Sequence, residues 1–74
     1  MSGKNQHVIP SGDRWAVRRA GSSRSSRVFD TQREAITAAT GIARSQGVAL
    51  YIHGRDGLIR ERVSFDKVAS GSEG

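Results

Sequence analysis

Between Asp30 and Gly47, and nowhere else in the chain, apolar side chains recur with the period of an α-helix. Ala35, Ile36, Ala39, Ile42 and Ala43 fall within an arc of roughly 120° at about 100° per residue, while Arg33, Thr37, Thr40, Gly41 and Arg44 face the other way. Thr31 with Glu34 three residues later has the form of a capping box, which satisfies amide groups that a first turn leaves unpaired. The helix is therefore expected to begin there. Gly47 stands where a left-handed C-terminal cap is wanted, and no helical pattern resumes after it.

The remaining apolar positions alternate as strands do, separated by turn residues. Residues 1–6 are polar and expected to be disordered. His7-Val8-Ile9-Pro10 reads as a strand, Ser11-Gly12-Asp13 as a turn, and Arg14-Trp15-Ala16-Val17-Arg18-Arg19 as the return, with Trp15 and Val17 toward the helix stripe. Ala20 to Ser26 is a loop by composition. Arg27-Val28-Phe29 follows as a third strand, with Val28 expected to point inward. Beyond the helix, Val48 to His53 alternates with Leu50 and Ile52 on one side. An Asp56-Gly57 turn leads into Leu58 to Phe65, with Ile59 and Val63 expected on one face and Arg60 and Arg62 on the other.

The pattern predicts an α+β fold: a two-layer arrangement in which an antiparallel sheet packs one face on the helix, in the order β-β-β-α-β-β. It allows the strands on either side of the helix to form one sheet or two. Residues 7–65 are expected to make a single domain, with residues 66–74 as a flexible tail.

Size sharpens this picture, because 74 residues lie near the limit at which one core outweighs chain entropy, and only Trp15, Phe29, Tyr51 and Phe65 supply rings. Self-association is accordingly one expectation. With no cysteine there is no disulfide scaffold, and no apolar run approaches the ~20 residues that span a bilayer. A cytoplasmic protein with no membrane partner is expected.

Charge changes the picture more. The formal net charge is +5, ten of the twelve basic residues are arginine, and five of these lie between Arg14 and Phe29 with four serines and no acid. Arginine's planar fork suits phosphate and base edges better than the lysine point charge does. Catalytic chemistry has little to work with: His7 and His53 are far apart in sequence, and no His, Asp or Glu grouping has metal-ligand spacing. Gly54-Arg55-Asp56-Gly57 lacks the lysine and following helix of a phosphate loop. No enzyme, cofactor, metal or small-molecule substrate is expected.

Two resemblances rest on these residues. Trp15-Ala16-Val17, Asp30-Thr31-Gln32-x-Glu34-Ala35 and Ile52-His53-Gly54-Arg55-Asp56-Gly57 followed by Ile59-Arg60-Glu61-Arg62 resemble the small bacterial family called domain of unknown function 2188, over roughly residues 7–65. That resemblance implies kinship but no activity. More loosely, Arg14-Trp15-x-Val17 with Arg27-Val28-Phe29-Asp30-Thr31-x-x-Glu34-Ala35 is similar to DNA readers built from a three-stranded sheet and a helix, such as plant AP2-type domains and the arm-type domains of phage integrases. This second resemblance implies that Arg14, Arg18 and Arg27 face DNA, with Arg24 near the backbone and Val17 and Val28 as support.

The expected function is non-enzymatic nucleic-acid binding, duplex DNA before RNA, through Arg14, Arg18, Arg19, Arg24 and Arg27. The alternative is an assembly module that dimerises through a strand edge or through the final hairpin.

Overall fold

The computed structural model describes residues 4–22 and 25–65, which form six elements: β1 (Gln6–Ser11), β2 (Arg14–Arg19), β3 (Ser25–Phe29), α1 (Gln32–Gln46), β4 (Ala49–His53) and β5 (Ile59–Ser64). Arg24 and the residues expected to form a flexible tail lie outside those described.

Both ends of α1 follow from local chemistry. The Thr31 side chain accepts a hydrogen bond from the Glu34 backbone N–H at 3.1 Å. At the other end Gly47 is left-handed (φ 68°), and the N–H groups of Gly47 and Val48 donate back to the carbonyls of Arg44 and Ala43, closing a Schellman motif. Ala35, Ala39 and Ala43 are fully buried against the sheet, with Ile36 and Ile42 packed at the flanks. Alanines on the contact stripe let the helix axis sit close to the strands, and Val8, Trp15, Val17, Leu50 and Ile52 rise to meet it.

The strands form one five-stranded sheet in the order β3-β2-β1-β4-β5. The α+β architecture is as the sequence pattern requires, but the sheet is mixed rather than antiparallel, because β1 pairs with β4 in parallel. Chain direction explains this. Two hairpins leave β3 running parallel to β1, and a helical crossover returns the chain in the direction it left, so β4 can join β1 only in parallel.

Turns fix the registers. Gly12 (φ 61°) and Asp13 join Ser11 to Arg14 in a two-residue turn with the positive φ at its first position, the II′ pattern suited to hairpins. Pro10 then falls at a non-hydrogen-bonded pair with Trp15, so its missing N–H costs β2 nothing, and the β4 pairing has already ended.

Three strand expectations change. Val28 pairs with Ala16, points away from the helix and is 48% exposed, while Phe29 pairs with Trp15 and packs on the core. A register shift beside Ile52 and His53 places an extra residue in β5. Ile59, opposite His53, and Arg62, opposite Tyr51, therefore share the bare face, whereas Val63 turns to the core beside Leu50. The ordered chain also starts before His7: Gln6 is buried in β1, and Asn5 accepts hydrogen bonds from the Ala20 N–H at its carbonyl and from the Ala49 N–H at its side-chain oxygen.

Two glycines in and after α1 make opposite predictions. A Cβ at Gly41 meets nothing within 4 Å, so Gly41→Ala should raise unfolding free energy by roughly 1 kcal/mol. Gly47→Ala forces a side chain into the left-handed region and should lower it by about 1–2 kcal/mol. Urea denaturation of both variants checks the pair of signs.

Candidate nucleic-acid interface

With one helix on one side, the other side of the sheet is uncovered among the described residues. Strand alternation and the pairing registers put His7 and Ile9 of β1, Arg14, Ala16 and Arg18 of β2, Val28 of β3, Tyr51 and His53 of β4, and Ile59 and Arg62 of β5 on this face. No strand position on it carries an acid.

Cross-strand pairing lines up Arg18, His7, Tyr51 and Arg62 as one row over four adjacent strands, about 14 Å from end to end. His7 stacks on Tyr51 with ring centroids 5.0 Å apart and planes at 17°, and Arg62 caps the other side of Tyr51 at 5.8 Å while its Nε donates to the phenol oxygen at 3.2 Å. Beside this row run the apolar positions Val28, Ala16 and Ile9.

A histidine pair braces the centre. The His53 Nδ1 lies 2.9 Å from the Gly57 carbonyl, which can only accept, so Nδ1 carries the proton and the His53 Nε2 is an acceptor. The His7 Nδ1, 3.0 Å away, must then donate to that Nε2. This chain of bonds leaves the His7 Nε2 as a bare lone pair in the neutral state. Burial, and next the neighbouring His53 and Arg18, lower the His7 pKa below 6.5.

The arginines expected at the site divide. Arg14 and Arg18 share the bare face, although Arg14 also makes an exposed pair with Asp30 at 3.5 Å, an arrangement worth only ~0–1 kcal/mol. Arg27 pairs with Val17 and lies 5.8 Å over the Phe29 ring, so it projects from the helix side at the sheet edge, away from the other two. Arg19 ends β2 opposite the buried Gln6 and is exposed. Arg24 is outside the described residues. Arg62, His7 and Tyr51 complete the row without having been expected there. Their signal was alternation in β4 and β5, which the bulge in β5 and the unknown partner of β1 obscured.

Elsewhere arginines brace the fold. Arg55 lies 4.8 Å over Trp15 and donates to the Gly12 carbonyl, joining two hairpin turns. Among the described residues no cluster of three or more histidine or acidic side chains is placed to hold a metal ion, and no helix is long and apolar enough to cross a membrane.

These features define a class: a small basic α+β module with one face of its sheet packed and the other bare. The chain belongs to the bacterial family described as "Uncharacterized protein conserved in bacteria (DUF2188)", whose profile matches residues 6–65. It is also similar to the uncharacterized protein YdaT of Bacillus subtilis (strain 168), 35% identical over 63 residues, a stretch that is 85% of this chain and 42% of that relative. The chain thus spans less than half the length of the curated relative it matches. No solved structure matches it.

The histidine pair predicts a pH dependence. His7 binds a proton less readily folded than unfolded, so its contribution to stability is complete above pH 6.5 and is lost as pH falls from 6.5 toward the lower folded value. In His7→Asn, whose amide replaces the Nδ1 donor without titrating, the slope of unfolding free energy against pH in that window should be smaller. Parallel urea titrations of the two proteins measure the difference.

Proposed function

We propose that this protein is a non-enzymatic, cytoplasmic nucleic-acid-binding module that holds an unpaired strand across the bare face of its sheet. The observation that carries this reading is the row of Arg18, His7, Tyr51 and Arg62 on a face whose strand positions hold no acid. Guanidinium groups at the two ends of the row contact phosphates in succession, and Arg14 adds a third cation. The half-buried Ile9 and the exposed Val28 give bases an apolar surface to lie on.

Width favours an unpaired strand over the groove of a duplex. Three strands span about 10 Å and enter a major groove about 12 Å wide, whereas five span about 19 Å and do not. A single strand laid on an open sheet, as in other helix-backed RNA- and DNA-binding sheets, meets no such limit. DNA and RNA share the phosphate chemistry on which this reading depends.

Binding of a fluorescent decathymidylate, followed by anisotropy at several salt concentrations, tests the proposal. With three phosphates neutralised, log K should fall against log salt with a slope of about −2. Arg62→Ala should weaken binding and reduce the slope by about 0.7. Arg33→Ala, on the exposed side of α1, should change neither. A lack of binding at low salt overturns the proposal.

A second reading, self-association, is favoured by the exposure of Val28 (48%), Leu58 (67%) and Ile59 (55%) at the two sides of the sheet. Light scattering on the unliganded protein, with and without Ile59→Lys, distinguishes it. A dimer that the variant dissolves supports assembly through β5.

A further inference from the structure

At one end of the bare face the turn after β2 borders, with His7, Arg18 and His53, an open depression of about 280 Å³. We propose that this depression is a site for one phosphomonoester group, gripped by the Arg18 guanidinium and the His7 Nε2. The proposal rests on the preceding reading only in taking the bearer of that group to be the end of a nucleic-acid strand.

Four observations converge. First, the Arg18 Nε is buried and has no hydrogen-bond partner among the described residues. A buried donor without a partner is costly, so the Arg18 side chain gains by turning Nε into the depression, where an oxyanion accepts from Nε and one terminal nitrogen in the geometry arginine favours. Second, the hydrogen bonds of the histidine pair point the His7 Nδ1 at His53 and so leave Nε2 as the edge that remains for a ligand. A phosphate there draws a proton onto Nε2, turning an acceptor into a charged donor, while His53 keeps its bond to the Gly57 carbonyl. Third, Gly21 has a positive φ (82°) and nothing within 4 Å of where a Cβ would stand, which leaves the mouth open. Fourth, the depression, about 280 Å³ and open to solvent, has room for a phosphate group whose bearer extends out of it.

A cation is the wrong occupant. No carboxylate lines the depression, Arg18 and Arg19 border it, and the two imidazole nitrogens that face each other are already joined by a hydrogen bond. The charged and titratable groups facing His7 are Arg18 from β2 and His53 and Tyr51 from β4. Uptake of a proton by His7 therefore depends on the added anion offsetting the guanidinium and the second imidazole. Affinity for the phosphate should rise as pH falls from 7 to 6.

Decathymidylates with a 5′-phosphate and with a 5′-hydroxyl, together with inorganic phosphate alone, provide the test by anisotropy and by NMR of the Arg18 Nε–H and the histidine rings. The phosphorylated strand should bind roughly tenfold more tightly, and inorganic phosphate should shift the Arg18 and His7 signals saturably. Arg18→Gln should erase the preference, and Arg18→Lys, which keeps the charge but not the fork, should reduce it. Equal binding of the two strands with no saturable phosphate shift overturns this inference and leaves the sheet-face reading intact. Saturable phosphate shifts without binding of either strand uphold the site and overturn the nucleic-acid reading. Saturable shifts of the histidines by zinc ions with none by phosphate overturn it in favour of a metal site.

Discussion

One helix of fifteen residues, about 22 Å long, can cover one side of a five-stranded sheet and no more. Most of the character of this protein follows from that constraint. The apolar residues able to form a core are few, and they collect on the helix side around Ala35, Ala39 and Ala43. The other side must be built from side chains that tolerate water while still shielding the strand backbone. Arginine, histidine and tyrosine meet both demands, since each lays an apolar body on the sheet and turns a polar tip outward. The small, fully buried Ala16, between Ile9 and Val28, shows how closely those bodies cover the strands.

The histidine pair adds direction to that surface. A carbonyl in the β4–β5 turn orients His53, His53 orients His7, and His7 then presents a single nitrogen beside Arg18. Sequence positions 46 residues apart thus determine one tautomer. The link depends on the parallel pairing of β1 with β4, which sets His7 opposite Tyr51 and within reach of His53.

Much of the fold was legible where local chemistry decides it. The capping threonine, the alanine and isoleucine stripe, the C-terminal glycine and the alternation of Trp15 with Val17 each carry their own structural instruction. The facing of Val28 was not legible, because a three-residue run of β-branched, aromatic and charged side chains has no alternation of its own and takes its parity from the Trp15–Phe29 pair. The facing of Ile59 depended on one extra residue in β5, which reverses alternation without any mark in composition. The basic segment before the helix was visible as charge, yet of its described arginines two, Arg14 and Arg18, share the bare face. The other three members of the row, His7, Tyr51 and Arg62, come from β1, β4 and β5, joined by a long-range pairing that no short motif announces.

The placing of β1 also bears on how the molecule is made. Of the five strands it is synthesised first, and both halves of the sheet depend on it, yet its second neighbour, β4, follows more than forty residues later. Until then β1 and β2 have no complete layer to shelter them, and non-local pairings of this kind are slow to form. The sheet is therefore completed late, when the helical crossover has carried β4 back to the open edge of β1.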